Sequence, residues 1–133
     1  MKLVFADSFY FFALLNQHEA PHAKAVAFAN SFAGTMVTTA WVLTEVADGM
    51  AKPIHRELFL QLHSELQSSS GVRIAPCSDE LYQRGIEFYG QRLDKEWSLT
   101  DCISFLVMSD FRVTEALTGD RHFEQAGFVA LLK

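Results

Sequence analysis

Apolar and polar positions fall into two kinds of block along this chain. Short apolar or β-branched runs are followed by longer stretches whose apolar positions recur three and four residues apart. The first run, Leu3-Val4-Phe5-Ala6, stops at Asp7 and predicts a short, fully buried strand. Ser8 to Leu15 then reads as a helix with aromatics on every side, Phe9-Tyr10-Phe11-Phe12. A helix apolar all round must be covered on both faces, by a second layer of the same domain or by a second copy in a homodimer. Pro21 suits the first turn of a helix running to about Ala33, with Ala25, Phe28, Ala29 and Phe32 on one stripe, and Gly34 ends it.

Thr35-Met36-Val37-Thr38 predicts the second strand, with Thr38 or Thr39 capping the next helix. That helix carries Trp41, Val42, Leu43, Val46, Ala47 and Met50, with Glu45 about a turn and a half in, and Pro53 forces a break near Lys52. His55 to Gln67 reads as a helix on a Leu58, Leu62, Leu66 stripe, followed by the loop Ser68-Ser69-Ser70-Gly71. Val72 to Pro76 predicts a third strand, and Ser78 caps a long amphipathic helix to about Lys95. The segment Trp97 to Met108 is almost wholly apolar, so its helix is expected to be buried, yet Asp101 stands in its first turn. Val113 to Thr118 predicts a fourth strand leading into Gly119-Asp120-Arg121-His122-Phe123, and Phe128 to Leu132 a fifth.

Strands alternating with helices predict a three-layer α/β/α architecture with a central parallel sheet of four to five strands. At 133 residues the whole chain, 1–133, is expected to form one domain. In that architecture Asp7, Glu45, Asp101 and Asp120 converge at the carboxyl edge of the sheet, where open α/β sheets bind ligands. Each acid also has a bland role, since Asp7 or Ser8 can cap a helix and Asp101 gains about 0.3–1 kcal/mol from a helix dipole. Four carboxylates brought together repel unless a cation neutralises them, and all-oxygen donors suit Mg²⁺ or Mn²⁺.

Composition narrows the function classes. Half of the residues are apolar and 20% are charged, which fits a globular chain. A net charge of −5 argues against holding nucleic acid by a broad basic face, but not against a nuclease with an acidic, metal-binding pocket. Met1 to Phe5 opens like an export signal, but Asp7 interrupts the apolar region and no small-x-small site follows Leu15. No stretch approaches a membrane span, so no membrane partner is expected. Cys77 and Cys102 form no CxxC pair and fit a reduced, cytoplasmic setting. His18 with His22 and His55 with His63 lack the further ligands that zinc requires.

Four segments, in order and over nearly the whole length, resemble the PIN domain family, and within it the small VapC-like toxins. They are Val4-Phe5-Ala6-Asp7-Ser8, Thr44-Glu45-Val46, Ser98-Leu99-Thr100-Asp101-Cys102-Ile103-Ser104-Phe105, and Thr118-Gly119-Asp120-Arg121-His122-Phe123 with Gly127-Phe128. The resemblance implies a metal-dependent endoribonuclease and toxin, with a cognate antitoxin as partner. Asp7, Glu45, Asp101 and Asp120 would be catalytic and hold one or two Mg²⁺ or Mn²⁺ ions, supported by Ser8, Thr118 and His122. His122 departs from the pattern, because relatives often carry an acid there. Lys52, Arg56, Arg92, Lys95 and Arg121 are the cations that would meet RNA phosphates, and Trp97 is an aromatic for base stacking.

Two other readings use the same acids. A haloacid-dehalogenase-like phosphatase also places an Asp after its first strand, but it needs a second Asp two residues on, where this chain has Phe9. A non-catalytic module would use the acidic pocket to receive a partner's arginine.

Overall fold

The computed structural model describes residues 2–133, and in it all five strands lie parallel in one sheet ordered β3-β2-β1-β4-β5. In chain order the elements are β1 (Leu3–Ala6), α1 (Ser8–Leu15), α2 (His22–Ser31), β2 (Thr35–Thr39), α3 (Ala40–Gly49), α4 (Pro53–Ser68) and β3 (Val72–Ala75). The second half adds α5 (Asp79–Gln91), α6 (Leu99–Asp110), β4 (Glu115–Leu117), α7 (Arg121–Gln125) and β5 (Val129–Ala130). Helices cover both faces, giving the expected three-layer α/β/α arrangement. The chain winds outward from β1 through β2 to β3, then returns to lay β4 and β5 on the other side. The crevice of such a sheet opens where the winding reverses, at the carboxyl end of β1 beside β4.

Register decides what stands at that crevice. Leu3 pairs with Thr35 and Phe5 with Val37 on one side, and Ala6 pairs with Leu117 on the other. One residue further on, Asp7 falls between Thr39 and Thr118. β1 is the central strand, so Val4, Phe5 and Ala6 are fully buried, as its unbroken apolar run requires.

The core is aromatic where it meets the crevice. Phe123 of α7 is fully buried, with its ring 6.3 Å from Phe5 of β1 and 4.9 Å from Phe105 of α6. Phe105 in turn meets Trp97 edge-on at 5.0 Å. These rings tie together the three elements that carry Asp7, Asp101 and Asp120.

Several boundaries differ from the sequence expectation. α5 ends at Gln91 rather than near Lys95, and in the connection beyond it Arg92 makes a bidentate pair with Asp94. Pro21 is the N-cap of α2 rather than a first-turn residue, and that helix stops at Ser31. β4 and β5 are shorter than expected, at three and two residues. The buried helix starts at Leu99, with Trp97 packed outside it. The aromatics of α1 are covered largely from within the chain. Tyr10 and Phe11 are buried, Tyr10 meets Phe28 of α2, and Phe9 and Phe12 pack against the core. Exposed apolar side chains lie instead on α4 (Ile54, Leu58, Leu60) and α5 (Tyr82, Ile86, Tyr89).

α5 and α6 approach closely because position 85 has no side chain. A Cβ built on Gly85 would stand 2.5 Å from Cγ1 of Ile103, inside any real contact distance. Glycine to alanine in a helix ordinarily stabilises by about 0.5–1 kcal/mol. Here overpacking, typically about 1–3 kcal/mol, opposes that gain. Gly85→Ala is therefore expected to lower stability in urea denaturation, and to cost less in an Ile103→Ala background, where Cγ1 is gone, than in wild type. A more stable Gly85→Ala protein would show that the helices have room to part.

Candidate functional site

Asp7 occupies the position of an N-cap to α1, but its side chain makes no capping bond. Its carboxylate turns across the crevice instead, and Oδ2 accepts the Thr118 hydroxyl proton at 2.9 Å. Thr118, fully buried, also accepts the Asp120 N–H at 3.1 Å, so one hydroxyl links the ends of β1 and β4 to the start of α7. Gly119, between them, is where the Phe9 ring approaches; a Cβ there would meet the ring at 2.6 Å.

Neighbouring threonines set the other side. The Thr38 hydroxyl donates to the Ala6 carbonyl at 2.8 Å, and the Thr39 hydroxyl accepts the Val42 N–H, capping α3. Capping at Thr39 fixes where α3 begins, and Glu45 follows about a turn and a half later, half-buried. On the α6 side, Ser98 and Asp101 form a capping box: the Ser98 hydroxyl accepts the Asp101 N–H at 3.0 Å, and Asp101 Oδ2 accepts the Ser98 N–H at 3.2 Å. Asp101 therefore caps α6, and the same Oδ2 lies 3.1 Å from His122 Nδ1. Asp120 likewise caps α7 through the His122 N–H at 2.9 Å. Ser98 had no role assigned from the sequence, although the spacing Ser-x-x-Asp before an apolar run is the signal for such a box.

The electrostatics are those of acids short of a counter-charge. Asp7 is only 6% exposed, and burial is the main reason its pKa is pushed up to about 7. The carboxylates of Asp101 and Glu45 add to that rise, while hydrogen bonding from Thr118 and the Ser8 N–H opposes it. Glu45 is also raised, chiefly by burial and then by Asp101 and Asp48, with the Ser8 side chain pulling it back. Among the described residues no Lys or Arg pairs with Asp7, Glu45, Asp101 or Asp120; His122 alone does so, with the last two. Carboxylates that repel one another and lack a Lys or Arg partner among the described residues fit a divalent metal ion, and the ligand atoms found close enough to share one are those of Asp101, Asp120 and His122.

The candidate cations are less concentrated. Arg92 and Lys95 line a hollow of about 670 Å3 that reaches Ser98 and Cys102, at the start of α6. Arg92 is already committed, paired with Asp94 and lying 4.7 Å over the Trp97 ring. Trp97 itself is buried, its indole N–H donating to Gln125, so its ring faces are used in packing rather than offered to a base. Arg56 donates to the Ala51 carbonyl, Lys52 is the exposed N-cap of α4, and Arg121 is exposed beside Asp120.

No family model matches the sequence, and no curated protein matches it. Solved structures do. VapC20 of Mycobacterium tuberculosis, described as a sarcin-ricin loop cleaving toxin, is similar with a TM-score of 0.85 and 25% identity, over 95% of this chain and 96% of that one. FitAcB from Neisseria gonorrhoeae is similar in fold, with a TM-score of 0.65 and 18% identity over 96% of this chain and 95% of that one.

The raised pKa of Asp7 has a measurable sign. Its folded value of about 7 lies above the ordinary 3.8, so between those values the folded chain binds more protons than the unfolded chain. Metal-free stability should therefore rise as pH falls from above 7 towards 4, with a one-proton slope of at most about 1.4 kcal/mol per pH unit. Asp7→Asn should lack this component, so the difference between the two proteins in chelator, followed by denaturation across that range, isolates it. A difference independent of pH would mean that Asp7 titrates normally.

Proposed function

This chain is a PIN-like domain of the VapC type, and from that premise we propose that it is a divalent-metal-dependent endoribonuclease acting as a toxin, with RNA as substrate and a cognate antitoxin as partner. The observation that carries the reading is the buried carboxylate of Asp7, raised in pKa and grouped with Glu45 and Asp101 without a Lys or Arg. The likeness to VapC20, described as a toxin that cleaves the sarcin-ricin loop, supports RNA as the substrate class.

Asp7, Glu45 and Asp101 would hold Mg²⁺ or Mn²⁺, with Asp120 beside them. A bound divalent ion supplies Lewis-acid stabilisation of the scissile phosphate and activates water for in-line attack, so no covalent enzyme intermediate is required. The chain's own contribution is placement. Thr118 holds the Asp7 carboxylate, the capping box holds that of Asp101, and Ser8 serves both Asp7 and Glu45. Burial of Asp7 keeps water away from its oxygens and strengthens their field. Lys95 is the cation next to the start of α6 to which we assign the flanking phosphate, with weaker roles for Arg92, which would first have to leave Asp94, and for Lys52, Arg56 and Arg121.

The remaining assignments are of the same kind. We place the protein in the cytoplasm, in keeping with its two free cysteines; among the described residues no helix is long and apolar enough to cross a membrane. We also assign it a homodimeric state, supported by the exposed apolar residues of α5. The whole of 1–133 is taken as one functional unit.

Purified protein should cleave RNA with Mg²⁺ or Mn²⁺ and lose that activity in EDTA. Asp7→Asn and Glu45→Gln should each reduce cleavage by at least about 10²-fold while circular dichroism and thermal unfolding report a folded chain. Hydrolysis of a phosphatase substrate with RNA left intact would replace this reading with the phosphatase one. In cells, expression should arrest growth, and co-expression of the neighbouring antitoxin should restore it. If wild type and Glu45→Gln are equally harmless, the toxin role is lost although a nuclease of another role survives.

A further inference from the structure

His122 faces two carboxylates at once. Its Nδ1 lies 3.1 Å from Asp101 Oδ2 and 3.5 Å from Asp120 Oδ1. One ligand atom from each of the three residues lies within 4.8 Å of the other two. Donors about 2.0–2.2 Å from one cation stand about 3 Å apart along an octahedral edge, so the two pairs that include His122, at 3.1 and 3.5 Å, are near that spacing, and Asp101 and Asp120 both face the same ring nitrogen.

The side chains are also held in place by the backbone around them. Asp101 is fixed by its capping box with Ser98, and Asp120 by the His122 N–H, whose own residue is next to the fully buried Phe123. Such outer contacts orient ligands before any ion arrives. Asp101 belongs to both groups: its charge acts on Asp7 and Glu45, and its Oδ2 reaches His122.

We propose that His122 completes a nitrogen-containing cation site with Asp101 and Asp120, next to the all-oxygen set of Asp7, Glu45 and Asp101, and that its imidazole shifts the pocket's preference from Mg²⁺ towards Mn²⁺ and Zn²⁺. The chemistry is that of ligand softness. Mg²⁺ is a hard ion that selects oxygen and dehydrates reluctantly, whereas imidazole suits transition ions. This rests on reading the acidic pocket as a divalent-metal site, but not on RNA being the substrate.

The test is direct binding, with Mn²⁺ and Mg²⁺ as probes. Calorimetry should show wild type favouring Mn²⁺ over Mg²⁺, and His122→Asp, with oxygen in place of nitrogen, should cut that ratio by about tenfold or more. Pulsed EPR of Mn²⁺-loaded wild type should show a histidine ¹⁴N coupling that His122→Asp removes. The coupling should persist when His18, His22 and His55, which line a separate groove, are all replaced by Gln. That last protein serves if His122→Asp does not fold. Mn²⁺ bound without nitrogen coupling, or a ratio unchanged in His122→Asp, would reduce His122 to an ion-pair partner and overturn the proposal. Mn²⁺ bound with nitrogen coupling but RNA left intact would refute the ribonuclease reading alone. No Mn²⁺ binding at all would refute both.

Discussion

The structure depends on keeping one carboxylate, that of Asp7, nearly out of water at the end of its central strand. Removing an ionised carboxylate from water costs several kcal/mol unless a partner compensates. Among the described residues its side-chain hydrogen-bond donor is Thr118, and the charges that act on it, Asp101 and Glu45, have the wrong sign. The metal-free fold accommodates this by raising the pKa, which means part of the cost is taken as a proton. Such a cost would be relieved by a divalent cation, which is the premise of the metal site proposed above.

That cost is offset by the apolar frame around it. Phe5, Phe105 and Phe123 come from β1, α6 and α7, and their mutual packing fixes those elements relative to one another. Aromatic side chains supply large buried area with few rotatable bonds, so the geometry they impose is stiff. The sheet register does the rest, because a slip of β1 by one residue would exchange the helix layers against which Val4 and Phe5 pack and carry Asp7 away from Thr118. Acids remote in sequence thus meet as a consequence of packing, with no attraction between them.

The polar residues at the crevice serve local structure and the site together. Asp101 caps α6 and faces His122; Asp120 caps α7 and reaches the same ring; Thr118 joins Asp7 to Asp120. Capping and ligation both require an oxygen at a defined place near the start of a helix, so one residue meets both requirements. Capping by Asp101 and Asp120 is thus compatible with the ligand role proposed for them, whereas Asp7 stands at the N-cap of α1 without a capping bond.

The sequence by itself determined the alternation of elements, the parallel sheet and the four candidate acids, three at strand ends or helix starts and Glu45 within α3. These are local properties: apolar runs, helical periods, threonine and serine caps, and breaks at Pro53 and Gly34. Tertiary structure alone decided which acid is buried, since Asp7 and Asp120 both follow strands and only the place of β1 at the centre of the sheet separates them. It also decided that Trp97 is packed rather than presented, that Arg92 is taken up by Asp94, and that His122 stands between two carboxylates. Of these pairs only Arg92 with Asp94 and His122 with Asp120 are close in sequence, and an exposed connection such as 92–98 has no apolar period to reveal where it turns. Local patterning names the candidates, whereas distances across the chain, and with them charge, burial and partnership, exist only once the layers have packed.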